Sequence, residues 1–243
     1  MEANRVIRDE DEIKRLVATA NRMLYMEDHI SYSGHVSMRH PDTDVAYMNT
    51  LSASRGEIRP EDVVAVTLDN EPVDPDAPNP VGEREIHTSI YRDRPEITAV
   101  LHTHAPATTL NAITGTEMIP VSQRGSILAE GPVPLLNQPG KITKQAESGP
   151  MLEEMGEQKQ LLIKNHGAVI CDETIVRAFA RAIYLEKNAE WQQRASDLAN
   201  PNGMTQEQVE NVYKGNWKES SIEKFWHFYE WKAQEEGYLP REW

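Results

Sequence analysis

The sequence predicts an α/β fold. Two observations carry that expectation: apolar residues recur at helical spacing near both ends, and the middle holds short extended runs bounded by turn residues. Ile13, Leu16, Val17, Ala20, Met23 and Leu24 mark an amphipathic helix over about residues 11–27. Extended segments follow around residues 36–39, 45–48 and 63–68, divided by Pro41-Asp42 and Arg59-Pro60-Glu61-Asp62. The Pro-rich stretch 72–80 is too short for a domain linker and reads as a loop before a helix carrying Glu83 and His87. That helix leads into an apolar strand, Thr98–Ala99–Val100–Leu101, ending at His102. A further strand near residues 161–164 turns at Gly167 into a run over 169–171. A long helix then spans about residues 173–198, with Val176, Phe179, Ala180, Ile183 and Tyr184 on its apolar stripe. Beyond about residue 203 the tail alternates charges with Trp217, Phe225, Trp226, Phe228, Tyr229 and Trp231, an aromatic-rich helical extension. No Gly/Ser/Pro linker divides the 243 residues, so one domain over 1–243 is expected. Periodicity leaves the strand order open.

Composition narrows the partners. A formal net charge of −14 argues against nucleic acid, whose binders carry a basic stripe. No apolar run approaches a membrane span and the first residues lack a signal-peptide core, so a cytoplasmic location is the default expectation. The single cysteine, Cys171, excludes an intrachain disulfide and a cysteine-based zinc cluster, and its apolar neighbours read it as a small buried hydrophobe.

The chemistry is concentrated in histidines. Residues i and i+2 of a strand share a face, so His102-Thr103-His104 aims two imidazoles at one spot, and the later run delivers His166 within Asn165-His166-Gly167. Three neutral imidazoles with an open position suit a catalytic divalent ion, whereas closed structural sites take four ligands rich in cysteine. The competing reading is of turn or core histidines satisfied by hydrogen bonds.

The order of Gly34-His35-Val36-Ser37, then Glu83-Arg84-Glu85-Ile86-His87, then His102-Thr103-His104 and Lys164-Asn165-His166-Gly167 resembles the class II aldolase/adducin family over about residues 11–198. The resemblance implies a three-layer α/β/α fold with a central, mostly antiparallel sheet. It also implies a homo-oligomer, a tetramer or higher, with active sites between neighbouring subunits. By transfer, His102, His104 and His166 are the metal ligands and Glu83 the catalytic acid/base, one divalent ion per subunit (Zn2+ or Mn2+, with Co2+ or Fe2+ as options) and no organic cofactor. Glu83 has a plainer reading as a helix-start charge, and His87, four residues on, is read as structural support.

Departures from the sugar-phosphate members point to the substrate. Those relatives hold phosphate with a Gly-Asn, a Thr-Gly turn and a Ser-Ser pair. This chain has Gly34-His35, Leu51-Ser52-Ala53-Ser54-Arg55 and Val81-Gly82 at those places. Losing an Asn and two hydroxyls removes most phosphate donors, while Ser52, Ser54 and Arg55 beside His35 suit a carboxylate. Gly-His-Val-Ser and the aromatic tail are more similar to a branch that decarboxylates hydroxylated aromatic or pyridine acids, with Glu83 or His35 as the proton donor. His35 has an equal claim to a turn role. Arg124 stands where the sugar aldolases place a tyrosine reaching a neighbour's site, and is read as a substrate contact or a salt-bridge residue. An aldolase acting on an unphosphorylated hydroxy acid is the alternative. A sugar-phosphate dehydratase or epimerase and a non-catalytic adducin-like module follow.

Overall fold

A computed structural model describes residues 1–242. Helix α1 runs over Glu10–Met26, started by the Asp9 carboxylate, which accepts the Glu12 N–H, and by three acidic residues in the positive first turn. Strands β1 (His35–Arg39), β2 (Val45–Asn49) and β3 (Val63–Thr67) form the antiparallel meander expected from their turn residues. Helix α2 (Arg84–Asp93) precedes β4 (Ala99–Thr103), and β6 (Gln160–Ile163) turns into β7 (Gly167–Asp172). Helix α5 (Ile175–Ser196) follows, capped by the Thr174 hydroxyl, and then α6 (Gln206–Asn216) and α7 (Glu219–Glu235).

Four pieces between β4 and β6 escape the hydrophobic pattern. They are α3 (Pro106–Thr114), a 3₁₀ segment over Gln123–Glu130, the two-residue β5 (Leu135–Leu136) and α4 (Gln145–Met155). Each is short, and α4 contains Gly149 and Pro150, so local propensity contradicts the helix that packing enforces.

The sheet runs β3-β2-β1-β4-β7-β6-β5, antiparallel at every pairing but β5 with β6. Alternation along the strands divides two cores. Val36, Met38, Ala99, Leu101, Ala168 and Ile170 face α1 and α5, whereas Val100, Val169 and Cys171 face α2 and α4 through Ile86, Ile90 and Met151. This is a three-layer α/β/α arrangement. His35 and Ser37, out of phase with Val36 and Met38, lie on the α2 side, and so does His102, out of phase with Leu101. No helix among the described residues is long and apolar enough to cross a membrane.

One buried charge ties the C-terminal helices to the sheet. Arg181 of α5 is fully buried, bonded twice to Asp172 (2.8 and 3.0 Å) and once to Glu130 (2.7 Å), under the Trp217 ring at 4.8 Å. Glu130 in turn accepts the Tyr213 hydroxyl. Breaking a buried pair from one side leaves an uncompensated charge. Asp172→Asn is therefore expected to lose about 3–5 kcal/mol of stability, measured by urea unfolding.

Candidate metal centre

Three strand ends and one helix start converge on the α2 side of the sheet. Register sets His35 of β1 directly opposite His102 of β4. His104 lies one residue beyond the end of β4 rather than within it, held by its N–H to the His29 carbonyl at 2.8 Å. His166 sits in the β6–β7 turn, where Asn165 takes φ 55°. A Cβ on Gly167 would collide with the Thr103 carbonyl and stand 2.7 Å from the His104 ring, so only glycine lets this turn pass His104.

The imidazoles meet through their Nε2 atoms. His102 Nε2 lies 3.1 Å from His104 Nε2 and 3.2 Å from His166 Nε2. Their other nitrogens point outward, His102 Nδ1 to the Ala168 carbonyl (3.1 Å), His166 Nδ1 to the Gly140 carbonyl (3.0 Å) and His104 Nδ1 to the Ser33 hydroxyl (3.1 Å). A carbonyl can only accept, so His102 and His166 carry hydrogen on Nδ1 and turn bare lone pairs towards each other. Lone pairs at that separation repel unless a cation lies between them. Nitrogens about 2.0–2.1 Å from a tetrahedral ion stand roughly 3.3 Å apart, which the spacing matches.

The electrostatics agree. Burial first, and the other imidazoles next, hold His102 well below the ordinary histidine value and lower His104 to about 4. Both are neutral at physiological pH, as imidazoles that hold a divalent ion must be. Glu83 forms the N-cap of α2, its Oε1 accepting the Ile142 N–H at 3.3 Å and its Oε2 3.9 Å from His166 Nε2. A carboxylate oxygen thus borders the triad without being consumed by another bond. His35, 5 % exposed, stacks on His102 with ring centroids 4.9 Å apart and offers a nitrogen within 4.8 Å of Glu83 and His102 donor atoms. The structure therefore brings together His35, Glu83, His102, His104 and His166.

The remaining expectations divide. His87, read as structural support, is fully buried behind His35, with its Nε2 2.6 Å from His35 Nδ1. Ser52 and Ser54 are exposed on the turn after β2. Arg55 does not present a free fork. It is 4 % exposed, with Nε on the Gly34 carbonyl (2.7 Å) and Nη1 on the Thr50 and Ala53 carbonyls, so it braces the turn that delivers His35. Cation–π attraction holds the Arg124 guanidinium 4.7 Å from the ring centroid of Tyr184 on α5 and 5.5 Å from that of Phe225 on the tail. Trp217, Trp226 and Tyr229 of that tail are core residues, while Phe228 and Trp231 are half exposed. Sequence reasoning passed over Ser33, Ser37 and Tyr91. Only the position of Ser33 just before Gly34-His35, and of Ser37 two residues after His35, could have signalled the first two.

A family model described as class II aldolase and adducin N-terminal domain matches residues 15–193. The chain belongs to this family. Within it, 5-deoxy-D-ribulose 1-phosphate aldolase of Bacillus thuringiensis is 27 % identical over 84 % of this chain and 94 % of its own. A 3,4-dihydroxyphthalate decarboxylase of Arthrobacter keyseri is 27 % identical over 63 % of this chain and 66 % of its own. Among solved structures, an aldolase II superfamily protein from Pseudomonas syringae superposes with a TM-score of 0.83 at 20 % identity, covering 96 % of both chains. This class II aldolase family chain thus has both aldolases and decarboxylases among its relatives, and its fold is theirs.

Two measurements test the centre. His104→Ala is expected to fold yet bind far less divalent metal, read by elemental analysis after dialysis. Full occupancy would remove His104 from the ligand set. The second is pH dependence. His104 lowered to about 4 and His87 to about 3 take up protons in the unfolded chain near 6.5 but not in the folded one. Chelator-treated protein should therefore lose stability as pH falls from 6.5 towards 3, seen as a falling urea midpoint.

Proposed function

We propose that this chain is a divalent-metal-dependent carbon–carbon lyase that decarboxylates a hydroxylated aromatic or heteroaromatic carboxylic acid. The observation that carries the reading is His35. An imidazole packs against the triad where the sugar-phosphate members carry their phosphate-binding Asn, and Val81-Gly82 replaces their paired hydroxyls. Family membership and a decarboxylase among the relatives support it. His102, His104 and His166 would hold one zinc or manganese ion. When bound, that ion supplies Lewis-acid stabilisation of negative charge developing on a substrate oxygen.

The protein's own groups account for the rest. Loss of CO2 breaks a carbon–carbon bond and leaves its electron pair on the ring carbon, which must then receive a proton. Glu83 Oε2 borders the triad and is free to hold and deliver that proton, while His35 binds the acid from the opposite strand. Substrate contacts by Ser52 and Ser54 belong to this reading, with Arg55 bracing the turn that carries His35. So does a homo-oligomer in which Arg124 and the exposed Phe228 and Trp231 meet a neighbour's site.

A class II aldolase acting on an unphosphorylated hydroxy acid is the second reading. It is favoured by the alignment with the Bacillus aldolase over 94 % of that enzyme's length. Assaying CO2 against aldehyde release from a panel of hydroxy acids, with zinc- and manganese-loaded protein, separates the two: CO2 from a hydroxy-aromatic acid is expected, and aldehyde alone would establish the aldolase. Glu83→Gln preserves shape but cannot transfer a proton, so it should keep its metal and lose roughly 10²–10⁴-fold in turnover. A near-normal rate would remove Glu83 as the acid/base.

A further inference from the structure

His35 heads a chain of buried polar groups that runs away from the metal centre. His35 Nδ1 lies 2.6 Å from His87 Nε2, His87 Nδ1 lies 2.6 Å from Ser37 Oγ, and Ser37 Oγ lies 2.6 Å from the Tyr91 hydroxyl. All four residues are buried. The chain exists because two periods match: His35 and Ser37 are i and i+2 on β1, His87 and Tyr91 are i and i+4 on α2, and the helix lies over the strand.

Each link needs one hydrogen, and one ordering leaves no hydrogen stranded at the dry Tyr91 end of the chain. Tyr91 keeps its proton, since burial raises the phenol far above its usual range. The side-chain acceptor it finds is Ser37 Oγ. Having accepted there, the Ser37 hydroxyl donates to His87 Nδ1, so His87 carries its hydrogen on Nε2 and donates to His35 Nδ1. In the reverse order Ser37 donates to Tyr91 and the phenol hydrogen is left without a side-chain acceptor in a dry interior, which is unfavourable. The Val100 carbonyl lies close enough to favour charge on His87, but it does nothing for that stranded phenol.

We infer that Tyr91, Ser37 and His87 form a tautomer lock that leaves His35 with hydrogen on Nε2. His35 then faces the centre as a hydrogen-bond donor and not as a fourth imidazole ligand. His102 and His166 are wired in the opposite sense, with hydrogen on Nδ1 and a bare Nε2. Two kinds of histidine, ligand and donor, thus stand side by side and are distinguished by what lies behind each ring. An N–H aimed at the site suits a carboxylate or phenolate oxygen of a substrate. His87, Ser37 and Tyr91 are positioning residues that act through His35.

The lock rests on the proposed lyase reading only in its kinetic arm. Long-range 1H–15N correlation spectra of zinc-loaded protein labelled at histidine report the tautomer directly, with His35 assigned by the signal lost in His35→Asn. Protonated Nε2 with bare Nδ1 at His35 is expected in the parent, and the opposite pattern overturns the inference whatever the enzyme's reaction. Tyr91→Phe removes one hydroxyl and keeps the volume, so His35 should become a mixture of tautomers. An unchanged spectrum would remove Tyr91 from the lock. Ser37→Ala tests the same chain one link nearer, and should also release the tautomer. With a substrate in hand, Tyr91→Phe should lower kcat about 10–100-fold at unchanged zinc content. If no hydroxy acid turns over in the parent, the lyase reading fails while the spectra still decide the lock.

Discussion

The pairing of β1 with β4, which sets His35 opposite His102, is the constraint on which the site depends. A slip of one residue would turn His102 into the α1/α5 core and bring Leu101 to the metal centre. The register is fixed by the apolar alternation on both faces, Val36 and Met38 with Ala99 and Leu101 on one side and Val100 on the other. Packing that stabilises the fold therefore also aligns the imidazoles. Residues outside the strands have only to complete the cluster: the His29 carbonyl holds His104 just past β4, and Gly167 lets the β6–β7 turn approach closely enough to add His166.

Burying these histidines is tolerable because their ring nitrogens are hydrogen-bonded and burial holds His35, His87, His102 and His104 neutral. Each ring of the triad has its Nδ1 engaged from outside, by Ala168, Gly140 or Ser33, which fixes ring orientation, and the two carbonyls leave the Nε2 of His102 and His166 bare. The cost falls on the centre itself, where lone pairs face one another and burial opposes protonation that would relieve them. Such a cluster is poised for a cation. Stability of the polar interior and affinity for a divalent ion are consequently linked, because the ion binds an arrangement that the unfolded chain does not hold.

The sequence makes some of this legible and hides the rest for identifiable reasons. α1, β1 to β3, β6, β7 and α5 carry strong periodicity, and their observed bounds fall close to those read from it. The pieces between β4 and β6 are short or interrupted by Gly and Pro, so tertiary packing overrides propensity there. The His-x-His spacing and the Asn-His-Gly turn point to residues that the fold gathers, although His104 arrives through a loop contact rather than strand alternation. Arg55 illustrates what spacing cannot reveal. A guanidinium near the site reads as a substrate fork until the backbone carbonyls of Gly34, Thr50 and Ala53 are seen to claim it. The Tyr91–Ser37–His87 chain is invisible in one dimension because it joins a strand and a helix some fifty residues apart.

Charge bookkeeping at the centre supports an acid that binds at the ion over a substrate held by a distant phosphate. Burial holds His102 and His104 neutral, Arg55 has two of its three nitrogens on backbone carbonyls, and Arg124 lies against aromatic rings. The chain as a whole carries a net charge of −14. A phosphate dianion placed away from the ion would find few converging donors to replace its water, and desolvating a dianion without them is costly. A carboxylate and a neighbouring hydroxyl would need no such cradle beside an ion held by His102, His104 and His166, which would supply the compensating charge. His35 then adds a directed hydrogen bond rather than a second positive charge. The site would thereby recognise an acid by geometry around one ion, with Glu83 left free to move the proton.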